Sequence, residues 1–320
     1  MLVVGLQGSP RRKGNSRFLL ETFLNATASF GAETRLIEVD QRHILPCKEY
    51  TVCEKKGYCP IEDDMLSEIY GLIRRADVVV AATPVFFYNM SAQLKGLIDR
   101  CQTFWARKYR LRWRDPRRKA KKGYLLSVAA TQGNTLFDAI HLTMHYFYDA
   151  IDADYAGHLT YRGIEGPKDM ARHATVMDDV QRAVAGLMSP LVERKRILIV
   201  GPSGACASQM AGALVRAKAA DRFDVRVAGL EPAAAVDVNA RKAMAAKGWD
   251  IEYEVPLSIG RALEQWHPDV VVALGPVADL PSTIAGETIR WALPDTAPDS
   301  IEAAGQLCDG LDEQITALVR

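Results

Sequence analysis

The sequence predicts an α/β protein of two doubly wound parallel-sheet domains in tandem, and three observations predict it. Short runs of Val, Leu, Ile and Ala alternate with amphipathic stretches of helical length. Strands that read as continuously apolar are buried on both faces, as in parallel sheets covered by helices. The alternation breaks at "MSPLVERKR", residues 188–196, and then restarts with a new strand. With 320 residues, 48% of them hydrophobic, the chain has enough apolar material for one large core or two ordinary ones.

In the first half, Leu2–Leu6 reads as a strand, Ser16–Phe30 as a helix, Thr34–Glu38 as a strand and Asp63–Arg75 as a helix. Val78–Ala82 is the next strand, Ser91–Thr103 a helix, Gly123–Ala129 a strand and Thr135–Tyr148 a helix. Ala156–Tyr161 and the helix Pro167–Met188 complete a domain expected over residues 1–190. Ligands are expected at the C-terminal ends of its strands, where such sheets bind them. In the second domain, expected over 195–320, Ile197–Val200 is a strand and Ser208 is placed to cap a helix running to Ala219. Strand Val225–Gly229, helix Asn239–Lys247, strand Val270–Leu274 and a last helix near Ile301–Leu318 follow. The loops of the two halves carry different residues, so they are not obvious repeats.

The bulk numbers exclude several classes. A formal charge of +1 gives no global field for nucleic acid or an anionic membrane. No apolar run approaches the roughly 20 residues that span a bilayer, and Met1–Leu6 reads as a strand rather than a targeting segment. A cytoplasmic location is expected. The six cysteines (Cys47, Cys53, Cys59, Cys101, Cys206 and Cys308) are too few for a disulfide framework and read as reduced thiols.

Three loops of the first half carry chemistry. "GLQGSPRRKGNS", Gly5–Ser16, joins the first strand to a helix N-terminus. Its amides, the hydroxyls of Ser9 and Ser16, Asn15 and the cations Arg11, Arg12 and Lys13 all favour a phosphate. It is neither a Walker loop, since Asn15 stands where the lysine would be, nor a Gly-x-Gly-x-x-Gly fingerprint. "TPVFFYNMSAQLKGLIDR", Thr83–Arg100, puts Val85–Tyr88 at the sheet's rim, where aromatic groups can wall a flat heterocycle. "ATQGNT", Ala130–Thr135, supplies small and amide side chains for close backbone approach.

Together with "DDM" (Asp63–Met65) and "FWARKY" (Phe104–Tyr109), these loops resemble the NAD(P)H-dependent FMN reductases of flavodoxin-like fold, over roughly residues 1–188. The resemblance implies FMN, with its phosphate held by Ser9, Arg11, Asn15 and Ser16. It implies the isoalloxazine against Pro84, Val85, Phe86 and Phe87, with Asn89 and Met90 close by and Gln132 and Gly133 completing the ring site. It further implies NAD(P)H as co-substrate, a homodimer or higher homo-oligomer, and hydride transfer to the flavin that requires no named catalytic side chain. The acceptor stays open among a quinone, free flavin, an aromatic nitro compound, a metal ion and an electron-carrier protein.

"PCKEYTVCEKKGYCPIEDDM", Pro46–Met65, places Cys47, Cys53 and Cys59 in one loop and resembles the iron–sulfur flavoproteins. Their compact motif has a further cysteine three residues after the first, where this chain has Tyr50. No cluster is expected; if one forms, those three thiols are the ligands at hand. Cys101 reads as core packing. The basic run Arg107–Lys122, with Tyr109 and Trp113, reads as a dimer arm that steers the nicotinamide phosphates rather than as a nucleic-acid surface. His141 and His145 have ligand spacing on one helix face but no carboxylate pattern beside them, and read as core or pocket-edge residues.

In the second half, "ILIVGPSGACASQMAG", Ile197–Gly212, and "RWALPDTAPDS", Arg290–Ser300, resemble the low-molecular-weight protein tyrosine phosphatases and their arsenate reductase relatives. Those enzymes need a cysteine after the first strand, then five residues, an arginine and a serine. Registered on Ser208, the nucleophile's place holds Gly201 and the arginine's place Ala207. Asp295 remains, followed by Thr296 where proline is usual, and Leu280 precedes Pro281 where a redox cysteine would be expected. Cys206 sits too late in the loop for in-line attack, so a catalytically inactive domain is expected. The functional expectation is an FMN-dependent NAD(P)H oxidoreductase. An iron–sulfur electron carrier, or a flavin-binding sensor with a partner-binding second domain, is the alternative.

Overall fold

Strands that are apolar on both faces need helices on both sides, and the chain supplies them in alternation. The computed structural model describes residues 1–277, 280, 284, 286–293 and 298–320. Asp295, Thr296 and Pro281 lie outside the described residues.

β1 (Leu2–Gln7) leads into α1 (Asn15–Ala28), then β2 (Glu33–Glu38) and the short α2 (Val52–Lys56). A π-helical turn over Met65–Ile69 runs straight into α3 (Tyr70–Arg75). The expected helix from Asp63 therefore begins in wide geometry, with the Asp63 carboxylate accepting from the Met65 amide at 3.1 Å. β3 (Val78–Pro84), α4 (Ala92–Arg100), α5 (Gln102–Tyr109), β4 (Lys122–Val128), α6 (Asp138–Ala150), β5 (Asp154–Tyr161), α7 (Asp169–Arg172) and α8 (Val176–Val192) follow. One helix was expected over Ser91–Thr103. The chain instead breaks at Cys101, whose ψ of 2° ends α4 and starts α5.

The five strands are all parallel, in the order β2-β1-β3-β4-β5. Val3, Val4, Leu6 and Val78–Ala82 are fully buried, which is why these strands read as unbroken apolar runs. α1 turns Leu20, Phe23, Leu24 and Thr27 inward at helical spacing. The chain leaves β1 for β2 on one side and reaches β3 on the other. The loops after β1 and β3 therefore flank the crevice where such sheets take ligands.

The second sheet is also parallel, in the order β7-β6-β8-β9, from β6 (Lys195–Gly201), β7 (Phe223–Gly229), β8 (Val270–Leu274) and β9 (Glu287–Trp291). Its helices are α9 (Ala207–Ala219), α10 (Val238–Ala246), α11 (Ile259–Leu263) and α12 (Ile301–Leu318). α12 buries Ala304, Cys308, Leu311 and Ile315 against a core that includes Met210, Leu214, Val227 and Met244. Ser208 does not cap α9. It lies inside the helix, Cys206 holds the cap position, and no side chain bonds there.

The chain divides into one unit of Met1–Arg112 with Ala120–Val192 and another of Trp113–Lys119 with Glu193–Arg320. Part of the basic run thus belongs to the second unit. There the Arg117 guanidinium donates to the Glu254 carboxylate at 3.0 Å and Arg118 lies 4.8 Å over the Trp249 ring. The Arg114 backbone bonds Gly248 and Asp250. These cations serve internal pairs, so the run is not the uniform exposed arm its sequence suggests. No helix among the described residues is long and apolar enough to cross a membrane.

Candidate functional site: the rim loops of the first sheet

The loop Gly8–Gly14 is built to lie close to its neighbours. The Gly8 amide donates to the Ala82 carbonyl at 2.8 Å, and a β-carbon at Gly8 would meet Leu94 at 2.8 Å and the Ala82 oxygen at 2.9 Å. Only glycine fits there. Gly14 holds the α1 cap position with extended backbone and no side-chain cap, so the first-turn amides are left for an outside acceptor. Ser9 and Ser16 are buried beside them, while Arg11, Arg12 and Lys13 are exposed. Ser9 Oγ accepts from the Arg11 amide at 3.2 Å and folds the loop back on itself.

Asn15 has a different job from the one its loop position suggests. Its side-chain amide donates to the Gly166 carbonyl at 3.0 Å and accepts from the Met170 amide at 3.1 Å. It ties the phosphate-type loop to the turn after β5, leaving its backbone N–H as its contribution at the helix start. Gln7, 1% exposed at the end of β1, has both polar side-chain atoms without a hydrogen-bond partner among the described residues. A buried amide in that state needs a polar group from elsewhere.

The loop after β3 is locked to both neighbours. Ser91 caps α4 by accepting from the Leu94 amide at 3.2 Å, and its hydroxyl donates to the Gly8 carbonyl. Buried Thr83 accepts from the Ser91 amide at 3.1 Å, and the Val85 amide donates to Val128 at 3.0 Å. Between them, Phe86 and Asn89 exchange backbone hydrogen bonds of 2.8 and 3.0 Å around Phe87 and Tyr88. Phe87 and Tyr88 have φ of 49° and 61°, a left-handed two-residue turn made of aromatic residues. Such backbone costs about 1–3 kcal/mol per residue and collects at ligand sites. Phe87 projects wholly into solvent, Phe86 and Tyr88 are about half exposed, Pro84 and Val85 are half-buried, and Met90 is buried. Asn89 Oδ1 accepts from the Met90 amide at 2.8 Å.

In the third loop Gln132 is exposed and Gly133 half-buried. A β-carbon at Gly133 would lie 3.2 Å from the Tyr88 hydroxyl, so loops two and three approach closely there. Arg162 braces this loop by donating to the Gly133 and Asn134 carbonyls at 3.0 and 3.1 Å. Sequence reading missed Thr83, Ser91 and Arg162 as site residues. A serine before an apolar helical run signals a cap, but its second bond, to Gly8, lies 83 residues away and leaves no local trace.

The rim offers open helix amides, hydroxyls, exposed cations, an orphaned buried amide and a glycine cradle, which suit a phosphorylated planar cofactor such as FMN. The cysteine loop does not suit a four-thiolate cluster. Cys47 is exposed, Cys53 and Cys59 are half-buried, and Tyr50 leaves the set one thiol short. Among the described residues no three His, Cys, Asp or Glu side chains converge as metal ligands do. Arg100 occupies the position beside Cys59, with its guanidinium 3.4 Å from Sγ. It also donates to the Leu45 carbonyl at 2.8 Å and pairs with the buried Asp63 carboxylate. Burial alone would raise Asp63, but its bonds from Arg100 and the Leu45 amide outweigh that and hold it below the usual carboxylate range. Burial, then the nearby Cys59, pushes the Cys53 thiol up.

His141 and His145, paired by the sequence, part company. His141 meets Tyr155 and His158 of β5, whereas the His145 ring packs on Tyr146.

In the second unit, Gly201 ends β6 and Ala207 is the first residue of α9. Cys206 is buried, and that burial pushes its thiol up to about 12, the opposite of an activated nucleophile.

Residues 1–155 match the family described as NADPH-dependent FMN reductase. The chain is 42% identical over 100 residues to an iron–sulfur flavoprotein of Methanocaldococcus jannaschii, covering 31% of this chain and 51% of that protein. It is 32% identical over 148 residues to an iron–sulfur flavoprotein of Methanosarcina thermophila, covering 45% of this chain and 73% of that protein. It spans about half the length of most of the curated relatives it matches. A solved arsenate reductase from Archaeoglobus fulgidus is 23% identical, with 38% of this chain and 98% of that chain covered, at a TM-score of 0.33. A likeness that loose decides nothing about function, and the fold of the second unit rests on its own strand order.

Proposed function

Because the chain belongs to the iron–sulfur flavoprotein family, with the NADPH-dependent FMN reductase domain in its N-terminal half, we propose that it is an FMN-dependent oxidoreductase. In this reading it takes electrons from NADH or NADPH and passes them to a small-molecule or electron-carrier acceptor, as a cytoplasmic homodimer. When bound, FMN supplies the hydride-accepting chemistry that side chains lack.

The chain's own residues bind and orient. Ser9, Ser16, Arg11 and the α1 amides hold the phosphate, and Asn15 fixes their loop through Gly166 and Met170. Pro84, Val85, Phe86 and Phe87, with Asn89, Met90, Gln132 and Gly133, would hold the ring. Thr83 and Ser91 hold the first two loops in register. The observation that carries this reading is the hydrogen-bonded meeting of the first two rim loops at the β1/β3 switch point, with the third loop close to the second at Gly133, within the matched residues.

The test is anaerobic titration of the purified chain with FMN, followed by NADPH or NADH. Quenching of flavin fluorescence and then loss of its visible absorbance are expected. Failure to bind FMN refutes the reading; binding without reduction by either nucleotide favours a flavin-binding sensor instead. The relatives' names favour a second reading, an electron relay through an iron–sulfur cluster. The incomplete thiol set weighs against it, and stoichiometric iron and sulfide in anaerobically purified protein would restore it. The second unit we read as non-catalytic, since neither nucleophile nor arginine stands in its loop. Turnover of p-nitrophenyl phosphate by the full chain that disappears on Asp295→Asn would refute that.

A further inference from the structure

The chain leaves the edge strand β5 at Tyr161 and returns to α7, which packs against α1. β1, which leads into α1, lies three strand spacings from β5, roughly 14 Å. The five residue steps from Tyr161 to Gly166 reach at most about 17 Å, so the crossing has little slack. Buried Ile164 and Met170 hold it down, while Arg162, Gly163 and Glu165 are exposed.

Each end of this crossing grips a different rim loop. At its start the Gly163 amide donates to the Thr131 carbonyl at 3.3 Å and the Ile164 amide to the Ala129 carbonyl at 2.9 Å. Arg162 adds its bonds to the Gly133 and Asn134 carbonyls. Gly163 has φ 68°, and a β-carbon there would collide with the Gln132 side-chain amide, so crossing and third loop are in contact. At the far end the Gly166 carbonyl accepts from the Asn15 side chain, and the Met170 amide donates to it. Asp169 fixes that turn by accepting from the Gly166 amide at 2.6 Å.

We propose that Arg162–Met170 is a fourth rim segment of the cofactor site, a strap that couples the ring end at the third loop to the phosphate end at the first, with Arg162 and Asn15 as its positioning residues. The inference rests on the FMN reading above, and it extends the site beyond residue 155, where the matched family domain ends.

The sheet does not supply this link. β3 lies between β1 and β4, so the first and third loops follow strands that share no ladder. Ser91 ties the first loop to the second, and the second approaches the third at Gly133. The strap closes the circuit. A taut segment bonded at both ends passes a displacement from one end to the other, whereas a slack one absorbs it. Loss of Arg162 therefore loosens the carbonyls it bonds and also the Gly166 carbonyl that orients Asn15, at the start of the helix whose amides take the phosphate.

The experiment titrates the full chain with FMN and with riboflavin, followed by flavin fluorescence, in the native form, Arg162→Ala, Asn15→Ala and the double variant. Asp178→Asn, exposed on α8, is the control. The ratio of the riboflavin Kd to the FMN Kd reads the phosphate contribution. Arg162→Ala is expected to cut that ratio about fivefold, although Arg162 bonds only the third loop; a local brace would weaken both ligands equally. The double variant is expected to lose less affinity than the product of the single losses. Amide exchange on the FMN-free chain is a second readout: Asn15→Ala is expected to speed exchange at Gly163 and Ile164 about tenfold. Arg162 is exposed and Asn15 opens a helix, so neither variant breaches the core, which circular dichroism checks. An unchanged ratio, additive losses, or unchanged exchange at Gly163 and Ile164 would overturn the strap. Failure of the native chain to bind FMN overturns the functional reading instead, and the exchange rates still decide whether the two loops are coupled.

Discussion

The loops after β1 and after β6 stand at the same place in two parallel sheets, each after a strand flanked on both sides and each before a helix whose cap carries no side-chain bond. Both frames therefore present first-turn amides. They differ in what surrounds those amides. The first loop keeps hydroxyls beside them and cations in solvent, with a buried glutamine still lacking a partner. The second turns its polar groups inward. Ser208 and Gln209 are buried, and Gln209 Nε2 donates to the Gly204 carbonyl at 2.8 Å while its Oε1 stays without a partner among the described residues. The second loop thus differs from the first chiefly in having no cations beside its amides. Gly204 itself, at φ 63°, packs so tightly that a β-carbon would sit 2.7 Å from the Gly229 amide. A helix N-terminus is thus supplied by the fold, whereas a binding site is supplied by side chains left uncommitted around it.

The contrast can be broken most sharply through thiols. The thiol of Cys206, raised to about 12 by burial, forms thiolate only as pH climbs toward that value. Iodoacetamide should therefore label it negligibly at pH near 8, with the rate rising about tenfold per pH unit above that. A thiol introduced by Gly201→Cys, ahead of the α9 N-terminus, should titrate below about 8.5 and label more than a thousandfold faster. Equal rates, followed by mass spectrometry, would mean the second loop has no anion-favouring field at all.

On the first loop, Gly8→Val should push the backbone off Leu94 and Ala82. It is expected to cost about 1–3 kcal/mol through overpacking and to weaken FMN binding by about a hundredfold, read by fluorescence titration with circular dichroism as the fold control. Retained affinity would show that the cradle is not where the cofactor sits. The smallest effect tests strain: Tyr88→Gly should relieve about 1 kcal/mol at its left-handed position, raising the melting temperature of the first unit by about 2–4 °C. A fall would mean that the Tyr88 contacts near Gly133 outweigh the backbone cost.

Much of this was legible locally. The strand cores, the amphipathic face of α12 and the three loop motifs are written in adjacent residues, because periodicity and turn chemistry act over a few positions. The break at Cys101, the π turn before α3 and the role of Asn15 were not. Each depends on a partner far along the chain: Arg100 reaching Leu45 and Asp63, or Asn15 reaching Gly166. Ser208 as a cap was a local inference that the tertiary fold overrode by placing the cap two residues earlier, at Cys206.

By itself the sequence determined that two parallel α/β sheets would form, and that one would carry a phosphate-type loop while the other lacked a nucleophile. Those properties belong to residue type and spacing. Only the tertiary structure decided that Trp113–Lys119 complete the second unit, that Asn15 braces a loop rather than standing free, and that a bulge at Ala156 gathers His141, Tyr155 and His158. Long-range packing chooses such partners by shape and burial, and no spacing rule along the chain encodes that choice.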